Sequence, residues 1–327
     1  MKAILHQPGQ PDAPLSIGEV PDPICQPHEV LIYVAATSLN RADLLQRRGQ
    51  YPPPPGVSEI LGLDVAGTVI EVGSEVEGFA VGDNVCALLA GGGYGQIAAA
   101  DAAMVLKLPE RLSFTKAAAI PEVFVTAYQA LYKIASIKAG DYVLIHAGAS
   151  GVGTAAIQLA LRAGARPIVT ASGHKHANLQ QLGDVVCVDY RKEEFTEVIA
   201  RITDNRGVDI VLDFVGAPYM RDNLQALAVD GHMVALGILG GRYTENMDSM
   251  PIVTKRLTIS GTTLRRRPAD YKRALLADFR RDVWPAFADR SLRPLVDTIY
   301  DWEDVNEAFD YMESNANVGK IVICIGE

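Results

Sequence analysis

The sequence predicts an α/β protein of two domains, a doubly wound parallel sheet in the middle of the chain and a mainly β domain built from its two ends. Three observations predict it. Short apolar runs broken by Gly and Pro every few residues fill the first 120 positions, which suits a coiled or barrel-like β domain. From Asp141 onward, strand and helix patterns alternate strictly. Where the first of those strands turns into the first helix stands Gly151-Val152-Gly153-Thr154-Ala155-Ala156. At 327 residues the chain is long enough for two cores of ordinary size.

In order along the chain, Val30 to Ala35 is an apolar, β-branched strand. Val65 to Val72 is a second, interrupted by Gly67 and closed by Gly73. Asn84 to Leu89 follows a Gly82-Asp83 turn, and Tyr94 to Ala100 forms a fourth. Tyr51, followed by four prolines and Gly56, opens a stiff non-helical arm. Glu122 to Ile137 has a helical period, with Val123, Ala127, Leu131 and Ile134 on one stripe. The alternating region then predicts strands at Tyr142–Ala147, Pro167–Ala171, Val185–Asp189, Val208–Phe214, His232–Leu236 and Leu257–Ser260. Helices are expected over Gly153–Arg162, His174–Leu182, Glu193–Thr203 and Tyr219–Ala228. Strands with so little polar alternation need cover on both faces, which helical crossovers provide. The tail carries helices near Tyr271–Phe287 and Asp304–Met312 and a closing strand, Lys320–Ile325. That strand is too isolated to stand alone, so the tail is expected to return to the first domain. The division expected is 1–120 with 290–327, and 121–289 between them.

Composition narrows the partners. Apolar residues make up 49% and charged residues 21%, a globular balance, and the net charge of -9 argues against nucleic acid or an anionic membrane as partner. Cys25, Cys86, Cys187 and Cys324 are scattered, with no zinc-knuckle spacing, and read as small buried hydrophobes in a reducing compartment. Met1 to Gly9 reaches a Pro-Gly break before a signal-peptide core forms, and no run approaches the roughly 20 apolar residues of a transmembrane helix. The expected location is the cytoplasm.

The Gly151–Ala156 stretch has the form Gly-x-Gly-x-x-Ala at a strand end that opens a helix. Gly151 allows the tight turn, Gly153 lets a pyrophosphate approach the backbone, and Ala156 lets helix and sheet pack closely. Ser150 and Val152 lie in the same loop, and the N–H groups of the new helix supply an anion site. The domain is therefore a Rossmann fold with a dinucleotide expected on it, the alternative being a structural Gly-rich turn. Ligands of such sheets lie outside the carboxyl ends of the strands, so Gly216 and the stretch Gly237-Ile238-Leu239 flank the cofactor or serve only as turns. After the second strand comes Ala171-Ser172-Gly173-His174-Lys175-His176, with no carboxylate until Asp184. An NAD site ends this strand with an acidic residue. Here Ser172 and Lys175 can donate to a 2′-phosphate and Gly173 leaves the backbone close, so NADPH is the expected cofactor.

Several stretches resemble the zinc-independent quinone oxidoreductase branch of the medium-chain dehydrogenase/reductase superfamily. They are Leu39 to Leu44, Gly49 to Gly56, Ile60 to Asp64, Ala117 to Glu122, Asp141 to Gln158 and Asn317 to Val322, in family order. The resemblance implies a GroES-like domain closed by the C-terminal tail, and a homodimer joined through edge strands of the Rossmann sheets near Arg256–Gly261. It also implies a hydroxyl donor from Tyr190 beside the cofactor phosphate. Zinc-dependent relatives place a ligand cysteine at Asn40 and Gly-His-Glu at Gly62-Leu63-Asp64, and they carry a four-cysteine lobe that is missing here, so no metal is expected.

Without a metal the remaining task is hydride transfer to an electron-poor acceptor, with the protein supplying alignment and a few donors. The expected function is NADPH-dependent reduction of a quinone of ortho-quinone type or another electron-poor carbonyl compound. Tyr51 is the first candidate donor, and otherwise packs on its own prolines. Asn40 either hydrogen-bonds the substrate or the nicotinamide ribose, or holds a turn; Asp43 reads as a helix-start residue. Val125, Thr126, Leu239, Asn317 and Lys320 are expected to grip the nicotinamide end, and Thr262 and Thr263 to approach the active site. The basic run Arg265-Arg266-Arg267 reads as solvated surface. Two rivals stand beside the quinone reading: an enone or enoyl double-bond reductase, and a non-catalytic NADPH-binding or structural protein.

Overall fold

The computed structural model describes residues 1–245 and 247–326. Its strands, in chain order, are β1 (Lys2–Leu5), β2 (Ser16–Glu19), β3 (Glu29–Ser38), β4 (Asp64–Val72), β5 (Asn84–Leu88), β6 (Ile97–Asp101) and β7 (Val105–Lys107). There follow β8 (Tyr142–Ile145), β9 (Arg166–Ala171), β10 (Val186–Asp189), β11 (Val208–Asp213), β12 (Leu227–Ala235), β13 (Thr258–Gly261), β14 (Val296–Asp301) and β15 (Lys320–Cys324). The chain divides into two compact units, one of Met1–Val125 with Arg265–Glu327 and one of Thr126–Leu264.

The first unit is the mainly β domain. Its large sheet runs β14-β15-β3-β4-β5-β7, with β6 also paired to β3 and β1-β2 forming a separate ribbon. The tail returns as expected: β15 lies antiparallel on β3, with Val322 opposite Ser38 and Ile323 opposite Thr37. Ile32, Val34, Val65, Val69, Val85, Ile321 and Ile323 feed one buried core, closed by Phe309 and Met312 of helix Val305–Glu313. Gly67 interrupts the run in β4 for a reason only the pairing reveals. Opposite it β3 changes register between Val34 and Ala36, and a Cβ on Gly67 would overlap the Tyr33 carbonyl oxygen. β1, β2, β7 and β14 are too short or too polar to announce themselves in the sequence.

The second unit is a Rossmann fold, a six-stranded parallel sheet of order β10-β9-β8-β11-β12-β13. Leu144, Ile168, Val188, Val211 and Met233 are buried under Phe195, Val198 and Ile199 of helix Phe195–Ile202. The predicted strands all occur, with β12 starting earlier, at Leu227. The predicted helix His174–Leu182 is shorter, a 3₁₀ turn Gly173–Lys175 leading into helix His176–Gln180. The period over Glu122–Ile137 becomes helix Pro121–Tyr128 continued by a π-helical stretch, Gln129–Ile134.

The unit boundaries differ from the sequence-based division at both ends. The long helix Ala269–Asp282 belongs to the first unit, because Arg273 bonds Asp101 at 2.8 Å and Arg280 donates to the Val105 carbonyl at 2.8 Å. These ties are long-range and charged, and helical periodicity carries no trace of them.

Candidate functional site

In the Rossmann unit, helix Gly151–Arg162 is capped by Ser150, whose Oγ accepts the Gly153 N–H at 3.0 Å. Gly151 and Val152 open the helix, where N–H groups have no intrahelical acceptor and the dipole favours an anion. A Cβ on Gly153 would lie 2.5 Å from the Ala147 carbonyl oxygen, so only glycine lets this helix start so close to β8. His146 is a structural residue. It is fully buried between Thr170 (3.0 Å) and Asn223 (2.7 Å), and burial lowers its pKa to about 4, which keeps it neutral.

At the ends of β9 and β10 the structure brings three of the expected phosphate donors together. The Ser172 hydroxyl lies 3.2 Å from the Tyr190 hydroxyl. That hydrogen bond lowers the Tyr190 pKa, with Arg191 and Lys175 adding to the effect. Lys175 is nearly buried, on the 3₁₀ turn that Gly173 opens. Arg191, over the Tyr190 ring at 5.7 Å, is a further cation that sequence reasoning missed. Asp189 was missed as well: a Cβ on Gly173 would lie 2.5 Å from its Oδ2, so a carboxylate enters from β10 rather than β9. His174 is exposed and His176 bonds the Ala171 carbonyl.

Gly216 has φ +86°, and its N–H meets the buried Asp213 carboxylate at 3.1 Å, so the loop after β11 is fixed by a side chain below it. Gly237 and Leu239 follow β12; the Leu239 N–H is held by the Phe214 carbonyl while its side chain is exposed, as is that of Ile238. Thr262 is buried, with its N–H on the Ala235 carbonyl, and Thr263 is exposed. Thr126 carries a buried Oγ1 with no hydrogen-bond partner. That unspent hydroxyl, the capped helix start and the Ser172–Lys175–Tyr190 cluster fit a phosphorylated dinucleotide with a polar amide at its far end.

In the first unit a polar cluster lies under the β3–β15 junction. The Asp64 carboxylate, fully buried at the start of β4, accepts from Ser38 Oγ (2.8 Å), Asn40 Nδ2 (2.8 Å), Lys320 Nζ (3.3 Å) and the Glu122 backbone N–H (2.5 Å). Lys320 Nζ also donates to the Leu39 carbonyl (2.7 Å) and to Asn40 Oδ1 (2.6 Å). Asn40 and Lys320 are thus brought together, both engaged with Asp64, while Asn317 Nδ2 donates to the Gly319 carbonyl. Asp43 acts at a helix start, as read: in helix Arg41–Arg47 its carboxylate accepts the Asn40 N–H at 2.8 Å. It also takes the Gly62 N–H and the Tyr94 hydroxyl, each at 3.1 Å. Burial raises its pKa to about 6 against those hydrogen bonds.

Tyr51 is half-buried and its hydroxyl has no hydrogen-bond partner among the described residues. The guanidinium groups of Arg265 and Arg266 each lie 5.5 Å from its ring centre. Burial raises its pKa, Glu122 adds to that, and the two arginines oppose it. The basic run is therefore not uniformly solvated surface. Arg266 is exposed, but Arg265 is only 4% exposed. Burial, then Asp64, pushes the half-buried Glu122 carboxyl up to about 8. Neither Glu122 nor Arg265 stood out by spacing, since each gains its role from residues far away in sequence. Val125, the last residue of this unit, is buried. Among the described residues no group of three or more His, Cys, Asp or Glu side chains is placed to hold a metal.

Fold and site together define a nicotinamide-dinucleotide oxidoreductase. Residues 151–279 match the family model for zinc-binding dehydrogenases, and residues 26–110 the model for the alcohol dehydrogenase GroES-like domain. An alcohol dehydrogenase superfamily protein from Novosphingobium aromaticivorans is 30% identical, with 99% of each chain covered and a TM-score of 0.87. The CurK enoyl reductase is 29% identical, with 99% of each covered and a TM-score of 0.88. A quinone oxidoreductase of Pseudomonas syringae is 27% identical, with 99% of each covered and a TM-score of 0.86. A mycobacterial protein solved in complex with NADPH is 28% identical, covering 99% of this chain and 100% of its own, with a TM-score of 0.88. Among curated proteins, a phenolphthiocerol synthesis polyketide synthase of Mycobacterium bovis is 36% identical over 93% of this chain. The chain spans only 14% of that synthase's length. The chain belongs to the medium-chain dehydrogenase/reductase superfamily, in its zinc-independent branch of enoyl and quinone oxidoreductases.

Proposed function

We propose that this protein reduces a carbon–carbon double bond conjugated to a carbonyl group, with NADPH as reductant. The observation that carries the reading is the likeness to the CurK enoyl reductase over 99% of both chains, alongside 36% identity to a polyketide synthase. This reverses the order expected from sequence, where a quinone came first. The cofactor is NADPH, in keeping with the mycobacterial relative solved with it and with the donors at the ends of β9 and β10. When bound, NADPH supplies a hydride to the substrate. The helix start at Gly151–Gly153 holds the pyrophosphate, and Ser172, Lys175 and Tyr190 hold the 2′-phosphate. Within the Rossmann unit, Thr126, with its unpaired hydroxyl, and Leu239 serve the nicotinamide end.

On the substrate side Tyr51 provides the proton. Its hydroxyl is unpaired, and its raised pKa keeps it protonated at neutral pH, which a general acid requires. Asn40 and Lys320 position the site through their bonds to Asp64. Enone reduction makes protonation at the α carbon obligatory, whereas a reduced quinone can take protons from water. A second reading, quinone reduction, is favoured by the likeness to the P. syringae quinone oxidoreductase. It is also favoured by the resemblance of the Gly49–Gly56 and Asn317–Val322 stretches to the tumour-suppressor-inducible NADPH quinone oxidoreductase. The protein acts as a homodimer, joined through β13.

Steady-state assays of wild type and Tyr51→Phe against a crotonyl thioester and an ortho-quinone test both readings. The expected outcome is turnover of the thioester by wild type, with a loss in kcat of about 10²-fold or more in Y51F. The quinone should lose roughly tenfold or less, because it needs no dedicated acid. Quinone turnover with none of the thioester would transfer the assignment to the second reading.

A further inference from the structure

Arg265 is a buried cation whose bonding is incomplete. Its side chain is 4% exposed, and no carboxylate hydrogen-bonds or ion-pairs with it among the described residues. Nε donates to the Ala90 carbonyl at 2.6 Å and Nη1 to the Tyr51 carbonyl at 3.4 Å. Nη2 is buried with no hydrogen-bond partner among the described residues. Burying a guanidinium is costly unless its donors are met, and a native structure rarely leaves one idle without a use for it. Both anchors are backbone carbonyls, one on the loop after β5 and one on the proline arm, so the group is fixed in place before anything binds.

Its surroundings say what kind of acceptor is missing. The guanidinium lies over the Tyr51 ring, and Asp43, then Glu122, act on it through charge without bonding to it. Arg266 lies at the same distance from that ring but is exposed, so it lacks the same buried, idle donor. The donors suited to the cofactor phosphates all belong to the other unit.

We propose that Arg265 is a substrate-binding residue, its Nη2 taking the carbonyl oxygen of the conjugated substrate. This rests on the enone reading above. In that reduction a hydride forms the new C–H bond at the β carbon with its two electrons. The C=C pair shifts into the bond between the α and carbonyl carbons, and the carbonyl π pair moves onto oxygen. A fixed cationic donor stabilises that oxygen most when it carries the charge, and so lowers the barrier rather than merely tightening binding. Protonation at the α carbon from the neighbouring Tyr51 then returns the oxygen to a carbonyl. NADPH is oxidised and the double bond reduced, and the tyrosinate left at Tyr51 takes its proton back from water, so that one solvent proton is consumed per turnover.

The test compares wild type with R265Q, R265K and R265A, measuring kcat and KM for the crotonyl thioester and the Kd of NADPH by fluorescence titration. Removing one such donor costs about 10²–10³-fold in kcat. R265Q should lose on the order of 10²-fold in kcat with little change in the Kd of NADPH, and R265K should lose less. Adding guanidinium at millimolar concentration should restore roughly tenfold of the activity lost in R265A, a rescue that a purely structural role would not give. Retention of kcat within about threefold in R265Q would overturn the proposal. So would a loss confined to NADPH affinity, which would place the missing anion on the cofactor. R265K keeps the charge and most of the volume, so it decides the matter if the shorter variants do not fold. The same variants are run against an ortho-quinone. If wild type reduces only the quinone, the enone reading fails, while the variant-to-wild-type ratio on the quinone still judges Arg265, since charge develops on oxygen there too.

Discussion

At the scale of single residues, the first unit's site is governed by carboxyl groups wholly or partly withdrawn from water. Glu122 follows Pro121 at the start of a helix and shares its surroundings with Asp64 and Asp43, while Lys320 and Arg265 only partly offset that repulsion. A carboxyl whose pKa rises on folding binds its proton more tightly in the folded chain. Its stabilising contribution is complete below the unfolded value, near 4.5, and is lost as pH climbs through about 8. Glu122→Gln cannot titrate, so the Tm of wild type minus that of E122Q should fall between those limits and level off above them. Scanning calorimetry at half-unit pH steps checks this; a flat difference would mean the carboxyl titrates as in water. Sequence reading passed over Glu122 because a glutamate in a helix's first turn is ordinary, and only the arrival of Asp64 makes it otherwise.

At the scale of elements, the Asp64–Asn40–Lys320 cluster joins the end of β3, the start of β4 and the start of β15. Lys320 is 3% exposed and Asp64 not at all, so removing either partner strands a buried charge. Asp64→Asn and Lys320→Met should each cost about 3–5 kcal/mol by urea denaturation. The double variant should cost clearly less than the two losses summed, and simple additivity would mean the pair is not coupled. The ends of β9 and β10 carry the proposed 2′-phosphate site. There Lys175→Ala should weaken NADPH about tenfold or more while leaving NADH nearly unchanged, since a charge-assisted contact is worth about 1.5–3 kcal/mol. Titration of both reduced cofactors at fixed ionic strength checks it, and equal losses would take the 2′-phosphate away from Lys175. The glycine fingerprint, the helix it opens and the donors Ser172 and Lys175 were legible beforehand. Asp189 and Arg191 were not, because they belong to a different strand brought alongside by parallel pairing.

For the whole molecule, β13 ends the Rossmann sheet with one side unpaired among the described residues, and Ile259 on it is 42% exposed. Val253 and Met250, in the helix just before it, are more exposed still. An unpaired apolar edge recruits another strand, and a second copy of the same edge closes the pairing by two-fold symmetry. Ile259→Lys should therefore convert a dimer to a monomer in sedimentation velocity, while a monomeric wild type would remove the dimer from the proposal. No helix among the described residues is long and apolar enough to cross a membrane.

The sequence by itself determined the two-domain α/β plan, the succession of strands and helices along the Rossmann unit, and the glycine turn and polar residues on which the proposed NADPH site rests. Each of these is written in local periodicity or in fixed spacing around glycines, which neighbours in sequence decide. Tertiary structure alone decided that β14 joins the first sheet beside β15 and that helix Ala269–Asp282 belongs with it. It alone placed Lys320 on Asp64 across more than two hundred residues, and Arg265 over the Tyr51 ring. Burial and charge pairing act through space, so a lysine expected at the cofactor can become the buried partner of an aspartate. An arginine from a basic run can likewise lose its water and keep an idle donor.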